Sequence, residues 1–329
     1  MIPSEISFKK QQEILPSPVS TFPLYGLHIT SNRLLPLPAI HGEKPADISI
    51  YFEGIIDPLP GSPPKTVVRE WRQEKGHWLL RFYNIEGHIL EFLLNQDGKE
   101  IRIRQSFPEW QDTIFVLLNT ALAGALHLQG RTMLHASVLV KNDKSYAFSG
   151  KSGSGKSSFA SALVAEGLAL QSDDIGAFTM ENHHPIFHAG YPYLKISSPI
   201  AEILGWQKNQ LKTIFSTQPD YEEKWLDLSS QTGGFYRGSA PLKAIYILCG
   251  RKQKIQFPHI ETLSAGQGAF ALVHHFYGHP WLVKPGKKTL SLCAHLAGTI
   301  PIHRVWLPDG LEHLRGSAQA FLQQSEQLG

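Results

Sequence analysis

Gly150-Lys151-Ser152-Gly153-Ser154-Gly155-Lys156-Ser157 matches G-x-x-x-x-G-K-[ST] in full. Glycines at these positions let backbone N–H groups converge on an anion without interference from Cβ atoms. A helix beginning near Ser157 adds the positive end of its dipole. Lys156 is expected to reach the β- and γ-phosphates, and the Ser157 hydroxyl to ligate Mg²⁺. The predicted nucleotide-binding set runs from Gly150 through Ser158. A dinucleotide site is excluded, because the lysine and serine follow the last glycine. The ligand class is a nucleoside triphosphate, taken as ATP with Mg²⁺.

One helix further on, "LALQSDDIGAF" (168–178) brings an apolar strand into Asp173 and Asp174. Adjacent carboxylates repel, and a cation relieves that cost. With Asp174 helping Ser157 to hold the metal, Asp173 is free to orient or deprotonate an attacking hydroxyl. Phosphoryl transfer asks for little beyond positioning, charge neutralisation and an in-line nucleophile. His135, in "MLHASVLV", begins the strand before the loop strand and could lie across the sheet from the Asp pair. A lone histidine on an apolar strand is more often a satisfied core residue, and spacing alone does not overturn that.

These groups need a strand, a loop, a helix and a second strand to hold them. The pattern supplies Met133 to Val140, Ser145 to Phe148, Ser157 to Glu166 and Leu168 to Gln171. The first hundred residues read instead as short strands: "ISIYFEG" (48–54), "TVVREWR", "WLLRFY", "HILEFLL" and "EIRIRQ". Lys75-Gly76, Glu86-Gly87 and Asp97-Gly98 separate the later ones, predicting an antiparallel meander with one buried face. A Pro-rich loop (57–65) interrupts the series. Ser106 with Glu109 reads as a capping box with Pro108 in the first turn. A long apolar helix is expected from Pro108 to Leu128, ending near Gly130. A final amphipathic helix is expected through Leu311, Leu314, Ala318 and Leu322. The predicted fold is α/β: a β-rich α+β N-terminal domain over 1–129 and a P-loop catalytic domain over 130–329.

Composition sets the outer limits. With 42% apolar and 18% charged residues, the 329-residue chain has the make-up of a globular protein with a real core. A net charge of +3 is far below the basic footprint of a nucleic-acid binder. Lys9-Lys10 and Lys287-Lys288 read as solvated surface. Residues 114–128 are too few for a membrane span and include Asn119 and His127. Met1 to Lys10 mixes charged and apolar residues, unlike a signal peptide, so a cytoplasmic location is expected. Cys249 and Cys293 have no metal or disulfide spacing, and Cys249, ending an apolar run, is expected to be a buried thiol. His274, His275 and His279 in "VHHFYGHP" read as loop or cleft lining, because Gly278 and Pro280 break a shared helical face. "ENHHPIFH" (181–188) reads as a connecting loop.

"LHASVLV", then "GKSGSGKS", then "GLALQSDD" together resemble the catalytic domain of HPr kinase/phosphorylase, over about residues 130 to 180. The resemblance implies transfer of phosphate from ATP, with Mg²⁺, to a serine hydroxyl. It implies Asp173 as catalytic base, Asp174 as metal ligand, and His135 assisting or orienting Asp173. The Glu-x-Arg-Gly and Pro-Gly-Arg-Asn segments of bacterial HPr kinases are absent. "AGYPYLKI" (189–196) and "GGFYRGSAPLKAIYIL" (233–248) stand instead, resembling a divergent branch that phosphorylates the C-terminal serine of lasso peptide precursors. Lys195 and Arg237 then become candidates for contact with the transferring phosphate or a substrate carboxylate. A peptide partner is expected, and neither nucleic acid nor membrane. HPr kinases tend to assemble, so a homo-oligomer is compatible. Two alternatives stay open: HPr or free serine as acceptor, and a regulatory module in which ATP only switches shape.

Overall fold

The computed structural model describes residues 20–40, 45–58, 68–107, 109–215, 221–277 and 286–327. Lys9, Lys10, Pro108, His279 and most of the 57–65 loop lie outside them.

Seven strands form the first sheet: β1 (Ser20–Leu24), β2 (Leu27–Ser31), β3 (Ile48–Ile55), β4 (Val68–Glu74), β5 (His77–Tyr83), β6 (Ile89–Leu94) and β7 (Glu100–Gln105). Their order is β1-β2-β3-β7-β6-β5-β4. The run β4 to β7 is the expected antiparallel meander. β3 departs from it by pairing parallel to both β2 and β7. Alternation in Ile101-Arg102-Ile103-Arg104 sends both isoleucines into the core.

The apolar helix is α1 (Trp110–Val116), a π turn at Leu117–Ala121, and α2 (Leu122–Leu128). No capping box forms at its start. Ser106 Oγ accepts the Ile89 N–H at 2.7 Å, and the N-cap Glu109 makes no side-chain cap bond. The helix shares one hydrophobic cluster with Leu80, Phe82, Phe92 and Leu94 of the sheet. That cluster continues past residue 130 into Met133, Ile175, Tyr191, Tyr193 and Trp225.

From residue 130 onward come β8 (Thr132–Lys141), β9 (Lys144–Gly150), α3 (Lys156–Ala165), β10 (Ala169–Ser172), β11 (Ile175–Glu181) and β12 (His184–His188). Next are β13 (Tyr193–Ser197), α4 (Ser198–Leu204), β14 (Leu211–Thr213), β15 (Glu223–Asp227) and β16 (Ser239–Lys252). The described chain closes with β17 (His259–Thr262), α5 (Ala265–Leu272), α6 (Lys287–Thr299), β18 (Ile302–Pro308) and α7 (Leu314–Gln327). The second sheet runs β10-β8-β11-β12-β16-β18-β17, with β9 paired to both β8 and β16. It is mixed: β9, β16 and β18 are parallel neighbours, while β8, β10, β11 and β12 pair antiparallel. β13, β15 and β14 make a small third sheet.

Two expectations fail here for local reasons. Residues 181–188 are not a loop: Asn182 and His183 turn the chain, and β12 pairs back onto β11. Pro185 is tolerated because β12 meets β16 only from Ile186 onward. Cys249 is exposed rather than buried, because it is the extra residue of a bulge where Leu248 faces Val305 and Gly250 faces Trp306.

One face of the second sheet packs on α3, α4 and α7 through Phe148, Phe159, Tyr246 and Phe321. Phe159 lies 5.9 Å from Phe148 and 5.3 Å from Phe321 between ring centroids. α7 carries Leu314, Ala318 and Phe321 into this core. Its Arg315 and Gln319 donate to the two oxygens of Glu166, just past α3, at 2.8 and 3.0 Å. The aromatic cluster fixes the helix that begins at the glycine-rich loop. Phe159→Ala is therefore expected to cost about 3–5 kcal/mol in urea unfolding. Phe257→Ala, at an exposed position, should change stability by less than about 0.5 kcal/mol.

Candidate active site

β9 ends at Gly150, opposite Leu248 of β16, and the chain loops into α3 at Lys156. A Cβ at Gly150 would stand 2.5 Å from Ser154 Oγ and 2.7 Å from the Leu248 carbonyl, so only glycine fits. Gly155 is the N-cap, with φ of 89°, a conformation natural to glycine. Lys156 is buried, and its ammonium donates to the carbonyls of Gly150 at 3.1 Å and Lys151 at 3.4 Å. Burial lowers its pKa, an effect that Asp174 and Asp173 partly offset. Ser154 Oγ is buried with no hydrogen-bond partner among the described residues. Ser157 and Ser158 are half-buried in the first helical turn.

The two aspartates occupy a break in strand pairing. β10 and β11 run along the same edge of β8, with Ser172 facing Val138 and Ile175 facing His135. Between them the ladder is interrupted, and Asp174 takes a left-handed φ of 63°. That turn sends the carboxylates to different surroundings. Asp173 is only 2% exposed. Its Oδ1 accepts from Ser137 Oγ at 2.6 Å, and its Oδ2 from the Lys195 backbone N–H at 3.1 Å. Asp174 lies 2.9 Å from Lys195 Nζ and 3.8 Å from His135 Nε2. His135 thus meets Asp174, not Asp173 as expected.

Burial, then the neighbouring Asp174 charge, pushes Asp173 up from 3.8 to about 6, against Lys195 and the Ser137 bond. Burial also opposes ionisation of Asp174. His135 and Lys195 outweigh it and hold that carboxyl well below the ordinary range. Lys195 is raised in turn, its burial overcome by the two carboxylates.

Asp174, His135, Lys195 and Ser152 open on a cavity of about 530 Å³. Its far wall comes from β4 and the long helix: Arg69, Trp71, Phe115, Asn119, Thr120 and His127. The π turn sets Asn119 there, its side chain donating to the Phe115 carbonyl at 3.1 Å and accepting from Tyr191 at 2.8 Å. His274 also lines the cavity, as its sequence context suggested. His275 instead faces Ser149, with Nδ1 and Oγ 2.8 Å apart. Burial, then the neighbouring His135 and Lys156, pushes it down to about 4. Arg237 is not among the lining residues. Its guanidinium donates to the Ser229 carbonyl at 3.3 Å and sits over the Phe235 ring.

No group of three His, Cys, Asp or Glu among the described residues is placed to hold a metal alone. A magnesium ion carried by nucleotide phosphates needs only one or two protein oxygens. Ser157 and Asp174 are oxygen donors of that kind, and the orphaned Ser154 hydroxyl fits a polar ligand at the loop.

Ser137 was legible in principle, since it lies two residues beyond His135 on one face of β8. Arg69 and Trp71 carry no such signal, because only the tertiary fold brings β4 to this cavity.

No family model matches the chain, and no curated protein matches it in sequence. Among solved structures it aligns with the Hpr(Ser) kinase/phosphatase from Coxiella burnetii. The match has 13% identity and a TM-score of 0.33, covering 60% of this chain and 99% of that one. That likeness is remote in both sequence and superposition. No helix among the described residues is long and apolar enough to cross a membrane.

The raised Asp173 has a signature in stability. Below about pH 4 its carboxyl is neutral in the folded and the unfolded chain. As pH rises through about 6 the folded chain must take up an enclosed charge, and this contribution is lost. Wild type should therefore lose stability relative to Asp173→Asn between about pH 4 and pH 6. The opposing titration of His275 is common to both proteins and cancels. Urea midpoints at a series of pH values measure the difference, and parallel curves would contradict it.

Proposed function

We propose that the protein is an ATP- and Mg²⁺-dependent phosphotransferase acting on a serine hydroxyl at the end of a peptide. One observation carries this reading: Ser152 of the glycine-rich loop and the His135–Asp174 pair line one cavity. The γ-phosphoryl group would leave the β-phosphate oxygen as the acceptor oxygen forms its new P–O bond. Lys156 neutralises charge on the phosphates. Bound Mg²⁺, held by Ser157 and Asp174, supplies further charge neutralisation. The hydroxyl proton passes to His135, with the Asp174 carboxylate beside it to stabilise the imidazolium.

This assignment differs from the sequence expectation at two residues: His135, expected to assist Asp173, takes the proton, and Asp173 becomes a positioning residue. Both Asp173 oxygens are already bonded and enclosed, which suits a positioning residue better than a base. The cavity volume is that of a small-molecule site, enough for a chain end but not for a folded surface. Arg69, Lys195 and His127 on its walls suit a terminal carboxylate. A ribosomally made precursor of lasso type is the acceptor that the sequence resemblance favours.

Mass spectrometry after incubation with ATP and Mg²⁺ tests the reading. The acceptors are serine-ending peptides with free and amidated termini, HPr and free serine. One phosphate is expected on the terminal serine of free-acid peptides. Asp174→Asn and His135→Ala should each slow transfer by about a hundredfold or more. Asp173→Asn should stay within about tenfold of wild type, given a positioning role. Phosphate on HPr or free serine alone would keep the chemistry and overturn the peptide acceptor. ATP binding with no acceptor modified would favour the regulatory module.

A further inference from the structure

β9, β16 and β18 are parallel, so their carboxyl ends share one edge of the sheet, where ligands of parallel sheets bind. β9 stops at Gly150, opposite Leu248, but β16 continues to Lys252. Along β16 the residues facing α3 and α7 are Ala244, Tyr246 and Leu248. Strict alternation would next place Gly250 on that face. The bulge at Cys249 resets the alternation, and Arg251 comes into register with Leu307, which belongs to that same core. One extra residue therefore turns a cation from the far face of the sheet toward the glycine-rich loop.

Arg251 reaches the loop at its end. A Cβ on Gly155 would lie 3.0 Å from Arg251 Nη2. Nη1 donates to the Pro308 carbonyl at 3.1 Å, which fixes the guanidinium plane. The side chain is half-buried, and the charge of nearby Asp309 acts on it, but no ion pair joins it to a carboxylate among the described residues. Lys156 covers the start of the loop through Gly150 and Lys151, and Arg251 covers its end at Gly155.

We propose that Arg251 is a second phosphate-binding cation of the nucleotide site, acting on the phosphates that seat against the Gly155 end of the loop. This rests on the nucleotide reading of the loop and adds a residue outside the motif. A guanidinium fork suits phosphate oxygens, and one held by a carbonyl spends little entropy on binding.

Isothermal titration with ATP and with inorganic tripolyphosphate, at low and high salt, tests the assignment. Arg251→Met should weaken both ligands about ten- to a hundredfold and flatten the salt dependence. Arg251→Lys should recover part of the loss. Arg251→Gln serves as a second neutral variant should the methionine protein fail to fold. The melting temperature of the unliganded variants reads the Pro308 bond separately. Wild-type affinity for both ligands in a folded neutral variant would overturn the proposal while leaving the nucleotide site intact. Failure of wild type to bind either ligand would overturn the nucleotide reading and, with it, the role of Arg251.

Discussion

Two hydrogen bonds to one enclosed carboxylate tie the site together. Asp173 accepts from Ser137 on β8 and from the backbone of Lys195 on β13, while sitting itself between β10 and β11. Three separate elements are thereby pinned at a point where the sheet has lost its own ladder. The turn is also closed by the Ile175 N–H on the Asp173 carbonyl at 2.8 Å and by the Ser172 hydroxyl on the Ile175 carbonyl at 2.6 Å, while Lys195 and His135 hold the Asp174 side chain toward the cavity. The enclosed charge is costly, as the raised pKa of Asp173 records. Asp174 escapes a similar cost because Lys195 and His135 stand beside it. Adjacent residues of one type thus do different work: one holds the break in the sheet and the other faces the cavity.

The parts of this arrangement visible in the sequence are those fixed by neighbours along the chain. The glycine-rich loop, β8, β9, α3 and β10 fall within a residue or two of expectation, because strand periodicity and the loop motif are local signals. The roles of Asp173 and Asp174 were not visible in the same way. They depend on the backbone turn at Asp174 and on partners 22 and 36 residues from Asp173. Single-residue irregularities defeated pattern reading elsewhere. The bulge at Cys249 exposes a thiol that alternation would bury, and β12 keeps a proline because its second neighbour begins one residue later. The capping box at Ser106 failed because its hydroxyl had a competing donor in Ile89.

The cavity wall was invisible for a different reason. Arg69 and Trp71 belong to a strand with no chemical signature, and reach the site only because the first sheet and the long helix share a core with Met133 and Ile175. Apolar burial that crosses residue 130 therefore also shapes the cavity, since the contacts that hold the first sheet in place bring its polar edge opposite Asp174. The π turn adds to this by setting Asn119, bonded to Phe115 and Tyr191, at the cavity wall.

Glu166, just past α3, meets Arg315 and Gln319 of α7, side chains 149 and 153 residues further along the chain. Phe159 likewise finds Phe321 only when α7 is in place. A ribosome therefore releases the glycine-rich loop long before the helix that covers its support. Until then the side of α3 that α7 covers stays open to water, and contacts so distant in sequence form late and slowly. Nascent chains consequently pass through an interval in which the loop has been made but is not yet held in shape.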